Sequence, residues 1–156
     1  MDMQTKVGIV VLNKKGEVLL IKERLKGNPE PLWNIIKGSY GGGETIFDAA
    51  KRECKEEASL VIELKQSLGV FVSNEGEKIR VQFNFLAEPV SGTASTASKA
   101  EQQKLGESIE ELRWFSVSEI SKLKPADFIS QRTFEVLQNW MSGKSYPLDT
   151  FQHDPL

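Results

Sequence analysis

The chain has 156 residues, 39% of them hydrophobic, which is the size of one globular domain able to bury a single core. Its 20 basic and 22 acidic residues leave a net charge of -2, so nothing draws it generally to nucleic acid or an anionic membrane, and neither partner is expected. No window approaches the roughly 18 consecutive apolar residues of a membrane helix, and the polar opening Met1-Asp2-Met3-Gln4-Thr5-Lys6 is unlike a signal peptide, which makes the cytoplasm the expected location.

One cysteine, Cys54, excludes an internal disulfide, and the one histidine, His153, falls in the C-terminal tail. Histidine triads and zinc sites of imidazole or clustered thiolate therefore lack ligands, and any chemistry has to rest on carboxylates.

In chain order, the apolar runs Val7 to Leu12 and Val18 to Ile21, joined by Asn13-Lys14-Lys15-Gly16-Glu17, predict a β-hairpin. A loop with Pro29 and Pro31 leads to Trp33-Asn34-Ile35-Ile36, read as one short strand, and to the glycine cluster Gly38, Gly41, Gly42 and Gly43. Glu44 to Ala58 lacks Gly and Pro and is rich in Ala, Glu and Lys, so it predicts a helix of about four turns. Leu60 to Val72 and Ile79 to Leu86 predict a second antiparallel pair across the turn Ser73 to Glu77. Pro89 to Gly106, with little apolar content, predicts a long mobile loop. A strand over Leu112 to Phe115, a short helix begun by the capping pair Ser116 and Glu119, and a helix from Pro125 to Met141 stopped near Gly143 complete the pattern.

In the first helix Glu53, Glu56 and Glu57 stand at i, i+3 and i+4, on one face at about 100° per residue. Like charges at these spacings cost roughly 0.2 to 0.5 kcal/mol per pair unless a cation offsets them, as magnesium or manganese would. Ile46, Phe47, Ala50, Cys54 and Ala58 form an apolar stripe whose angle Glu57 shares, so Glu57 is expected to be partly buried. The competing reading is a solvated helix face in which Lys51, Arg52 and Lys55 screen the glutamates. The glycines ahead of the helix direct backbone N–H groups and a helix N-terminus to one place, which suits phosphate oxygens.

Gly38, then Glu44, then Arg52-Glu53-Cys54-Lys55-Glu56-Glu57-Ala58-Ser59-Leu60 reproduces the spacing of the Nudix box, so the chain resembles the Nudix hydrolase family. Ser59 departs from the family's glycine just past the helix, which bears on turn geometry more than on chemistry, and Ile36-Lys37 replaces a common Pro-Gly. Trp33 and the segment Glu107 to Phe115 also fall in family order. The resemblance implies an α/β fold: a Nudix-type α/β/α sandwich with a mixed, largely antiparallel sheet between helices. It also implies a single domain over 1–156, with 143–156 as an extended C-terminal tail.

For function it implies a magnesium-dependent pyrophosphohydrolase, with manganese able to substitute, that cleaves the phosphoanhydride bond of a nucleoside diphosphate linked to another group. Glu53, Glu56 and Glu57 would hold metal, Arg52 would orient a glutamate, and Glu44 would steady the loop or reach the metal through water. Glu107 is the first candidate for general base and Glu101 the second. Lys37, with Gly38 and Glu44, would contact substrate, or Lys37 is a plain surface lysine. Trp33, Tyr40, Phe71, Phe83 and Phe85 either stack on a base or belong to the core. The short chain favours a nucleoside triphosphate releasing pyrophosphate, oxidised triphosphates included. The alternatives are an ADP-ribose or dinucleoside polyphosphate pyrophosphatase and a nucleotide sensor without turnover. Either a monomer or a homodimer fits.

Overall fold

A computed structural model describes residues 2–106 and 108–155. The β layer consists of strands β1 (Asp2–Val11), β2 (Val18–Glu23), β3 (Leu32–Asn34), β4 (Ile36–Ser39), β5 (Val61–Glu75), β6 (Lys78–Ser91) and β7 (Ile109–Phe115). The helices are α1 (Ile46–Ala58), α2 (Lys99–Leu105), α3 (Val117–Ser121) and α4 (Gln131–Met141). Strands β4-β1-β6-β5 form a mixed sheet in which only β1 and β6 run parallel, and β3-β2-β7 form a second, antiparallel sheet.

Both faces of the β layer are covered, which is why the central strands read as continuous apolar runs. Val7, Ile9 and Val11 of β1, with Leu19 and Ile21 of β2, face a core closed by α1. Val10, Val18 and Leu20 face a second core with Ile120 of α3 and Val136 and Leu137 of α4. The expected α/β/α arrangement is therefore present. Among the described residues no helix is long and apolar enough to cross a membrane.

The expected hairpin is corrected. Asn13 builds the turn, its Oδ1 accepting from the N–H groups of Lys15 (3.0 Å) and Glu17 (2.9 Å), but beyond the single bridge Leu12–Val18 the strands part into different sheets. The strand expected over Trp33 to Ile36 likewise divides at Ile35, giving β3 to one sheet and β4 to the other. These two partings divide what was expected as one sheet.

The stretch read as a loop from Pro89 to Gly106 continues β6 to Ser91 and then forms α2, capped by Ser98 Oγ on the Glu101 N–H. Its seven residues carry too little apolar periodicity to announce a helix. The final helix also begins later than expected, because Pro125–Asp127 forms a separate 3-10 turn and Ser130 caps α4. Ser116 and Glu119 make the reciprocal capping box expected of them.

The tail returns across the molecule. Ser67 in β5, the edge strand of the mixed sheet, exchanges backbone hydrogen bonds with Tyr146 at 2.8 and 2.9 Å. Phe151 then packs on Phe47, Phe83 and Phe85, with His153 against Phe47.

Thr45 caps α1 through Asp48 N–H (3.1 Å), and Ser59 closes it in the left-handed region at φ 58°, ψ 29°. The Ser59 and Leu60 N–H groups reach back to Lys55 and Cys54 carbonyls. Serine keeps the conformation for which glycine is favoured, at a cost that glycine removes. Ser59→Gly is therefore expected to stabilise the fold by about 1 kcal/mol. A thermal melt then shows a midpoint about 2 to 4 °C higher.

Candidate active site

Helix α1 lies with its acidic edge against β4, so that residues 37–39 and 52–57 face each other. Glu53 and Glu57 are both buried, at 6% and 3% exposure. The expected partial burial of Glu57 is thus met and exceeded, and Glu53 is buried too. Gly38 makes room for this: a Cβ there would fall 1.8 Å from the Glu53 carboxyl carbon. Glu57 accepts the Lys37 backbone N–H at 3.3 Å. Burial raises the Glu53 carboxyl above its usual range against the opposing pull of Arg52.

Arg52 organises the acids. Its Nε and Nη2 hold both oxygens of Glu44 (3.1 and 2.9 Å), Nη2 also reaches the Ser39 carbonyl (2.9 Å), and Nη1 meets Glu53 (2.8 Å) and Glu56 (3.3 Å). The paired bonds hold the Glu44 carboxyl below its usual range, and the Arg52 pKa is raised in turn. The screened-face reading from sequence is right in part, since Arg52 does neutralise glutamates, but the acids it binds are partly or wholly buried.

Among the described residues no three acidic, thiol or imidazole groups stand close enough to hold a metal ion as they lie, and Arg52 rather than a metal bridges Glu53 and Glu56. The donor set nevertheless fits a hard divalent cation: carboxylate oxygens alone, two of the groups buried, one with its charged form disfavoured by burial.

The carboxylates open on a cleft of about 600 Å³, in the range that takes a small molecule. Lys6, Arg24, Lys26 and Lys37 line it beside them, with Glu23. Of these only Lys37 stood out in the sequence. Lys6 enters because β1 pairs with β4, which sets its Nζ 3.1 Å from Ser39 Oγ across 33 positions, a register that local patterns do not announce. Burial first, then Arg132, presses the Lys37 ammonium below its ordinary range, with Glu23 opposing, so Lys37 is a half-buried cleft residue and not a plain surface lysine.

Glu107 lies outside the described residues. Glu101 sits on α2 and lines a neighbouring groove with Lys55, Glu56 and Lys104. Of the aromatics, Phe85 is fully buried core, Phe83 and Tyr40 pack on that core, and Trp33 stands edge-on to Phe115. Trp33 also lies under Lys22 Nζ at 5.3 Å and the Arg113 guanidinium at 5.6 Å, and Phe71 lies beneath the guanidinium of Arg132 at 5.3 Å.

The NUDIX domain model matches residues 2–137. The chain belongs to the NUDIX domain family. Residues 38–60 are thus its Nudix box, and the Arg52–Glu44 clamp and the buried pair Glu53 and Glu57 lie within it. Curated relatives include the 8-oxo-dGDP phosphatase NUDT18 of Mus musculus, 38% identical over 96 residues, which are 62% of this chain and 28% of that protein. The ADP-ribose pyrophosphatase of Methanocaldococcus jannaschii is 26% identical over 136 residues, 85% of this chain and 72% of that one. Among solved structures, a NUDIX hydrolase from Nitrosomonas europaea shares the fold at a TM-score of 0.80 and 23% identity, covering 98% of both chains. The chain spans only about a third or less of the length of the NUDT18 proteins it matches.

Gly38 gives the box a steric test. Gly38→Ala is expected to push the Glu53 carboxylate off its position and, on the hydrolase reading proposed below, to lower kcat/KM about ten- to a hundredfold. Steady-state kinetics with circular dichroism for the fold checks it.

Proposed function

We propose that this chain is a divalent-metal-dependent hydrolase of the phosphoanhydride bond in a nucleoside diphosphate linked to another group. The observation that carries the reading is the pair of buried carboxylates, Glu53 and Glu57, held beside the backbone of Lys37 and Gly38 in a cleft rimmed by cations. Glu53, Glu56 and Glu57 are the residues that would hold the metal, and magnesium is the ion we assign, with manganese able to replace it. Bound there, such an ion supplies charge neutralisation of the diphosphate and a more acidic water.

The chain's own groups supply the rest. Arg52 fixes Glu53 and Glu56 from one side while anchored on Glu44, which makes it a positioning residue. Lys6 and Lys37 offer ammonium groups to phosphate oxygens. Glu107 remains our candidate for the base that takes the water's proton. The likeness to NUDT18 supports an oxidised purine nucleotide as substrate, while that to the archaeal enzyme supports ADP-ribose. We favour a nucleoside triphosphate releasing pyrophosphate, in a cytoplasmic protein whose one thiol is buried.

The test is a panel of oxidised and ordinary nucleoside di- and triphosphates, ADP-ribose and dinucleoside polyphosphates, with products read by phosphorus NMR. Turnover with magnesium, abolished by excess EDTA and restored by added metal, is expected for at least one compound. Tight nucleotide binding with no turnover on any member would make the chain a sensor instead.

A further inference from the structure

The mixed sheet turns an unusually polar face toward α4. Partners in register share a face, and alternate residues share it along a strand. Gln4 and Lys6 of β1 lie beside Arg80 and Gln82 of β6, and these lie beside Ser73 and Phe71 of β5. Gly8 adds the close approach of Asn84, whose Oδ1 accepts from Gln82 Nε2 at 2.8 Å directly where a Gly8 side chain would stand. On β4, Lys37 pairs with Gly8, so this face runs without interruption into the carboxylate cleft, which Lys6 and Lys37 also line.

Arg132 comes down on the far end of this face from α4, over the Phe71 ring. Among the described residues, two buried side-chain polar atoms lack any hydrogen-bond partner, and they are Arg132 Nε and Ser73 Oγ. Such atoms cost on the order of 1 to 3 kcal/mol each when left unmet, which makes their occurrence together informative. Arg80, opposite Ser73, spends its Nε on Gln4 Oε1 at 3.2 Å and acts electrostatically on Arg132. Arg80 and Arg132 thus stand near each other with Glu75 acting on Arg132, while Lys6 and Lys37 sit at the other end of the face among the acids of the cleft. Two neighbouring guanidinium groups beside polar atoms that lack partners are what a bound oxyanion would resolve, since guanidinium groups offer the forked donors that phosphate accepts.

We propose that Arg80, Arg132 and Ser73 form a second phosphate-binding site, for a phosphoryl group on the substrate remote from the diphosphate held in the carboxylate cleft. The proposal deepens the hydrolase reading and rests on it for the identity of the molecule. Gly38 lies level with Val7 and Phe83, so Arg80 is two strand spacings across and three residues along from it, which sets the two sites about 14 Å apart. The substrate class narrows accordingly to nucleotides that carry a phosphate on each side of the nucleoside, or at both ends of a longer polyphosphate.

Inorganic phosphate is the probe, titrated into the full chain in excess EDTA, with the Arg132 Nε–H signal followed by nitrogen-15 NMR. Because neither metal nor turnover is needed, the outcome is independent of whether the hydrolase reading holds. A saturating shift with a Kd of about 1 mM, absent when chloride is added to equal ionic strength, is expected. Arg80→Gln should weaken it about tenfold or more, as loss of a charged hydrogen bond does, and Ser73→Ala, the milder change, should weaken it by a smaller factor. No shift up to about 20 mM phosphate, or a shift that both variants leave unchanged, overturns the site.

Discussion

Glu57→Gln lowers kcat about 10²- to 10³-fold with the fold intact, the equivalent of roughly 3 to 4 kcal/mol of transition-state stabilisation. The substitution is nearly isosteric, and the amide oxygen can still accept the Lys37 N–H that the carboxylate accepts at 3.3 Å. What it removes is one unit of negative charge from a residue only 3% exposed, where solvent does little to screen it. A metal-dependent enzyme loses ion affinity and turnover together, so raising the magnesium concentration recovers part of the rate. A purely structural role for Glu57 would instead show as a lowered melting temperature with the rate per folded molecule unchanged.

Phe85→Ala gives the largest expected loss of stability, about 3 to 5 kcal/mol. The ring is fully buried and lies 5.7 Å from Phe47 on α1 and 5.4 Å from Phe151 in the tail, centroid to centroid. Its removal leaves a cavity between sheet, helix and tail that none of the three can fill alone. At roughly 2 to 4 °C per kcal/mol for a domain of this size, the melting midpoint falls by about 6 to 20 °C. Denaturant unfolding checks the size of the change. A fall of less than about 1 kcal/mol would mean that the tail collapses into the gap.

Where sequence patterns succeeded, the information was local. The 3.6-residue period placed α1, its apolar stripe and its acidic edge, and the Ser116–Glu119 spacing placed a capping box that the structure contains. Alternation over Ile79 to Leu86 placed β6 and its antiparallel partner. What patterns missed depends on contacts far apart along the chain. Nothing near Val18 states that β2 leaves β1 for β7, a choice made by burial on both faces. Nothing near Lys6 states that pairing in register sets it beside Ser39 and into the cleft with Lys37. The acidic edge of α1 lies within one helix and was legible, whereas Lys6, Arg24, Lys26 and Lys37 reach the cleft from β1, the segment after β2, and β4.

The return of the tail over β5 has a consequence for behaviour in concentrated solution. An edge strand with free N–H and C=O groups is a template for pairing with a second molecule. Tyr146 occupies that position at Ser67, while Val70 and Val72 farther along the same strand remain 50% and 63% exposed. The segment around Tyr146 therefore guards this part of the edge against sheet-to-sheet pairing, and a chain shortened at Gly143 is expected to present an open, apolar seam there.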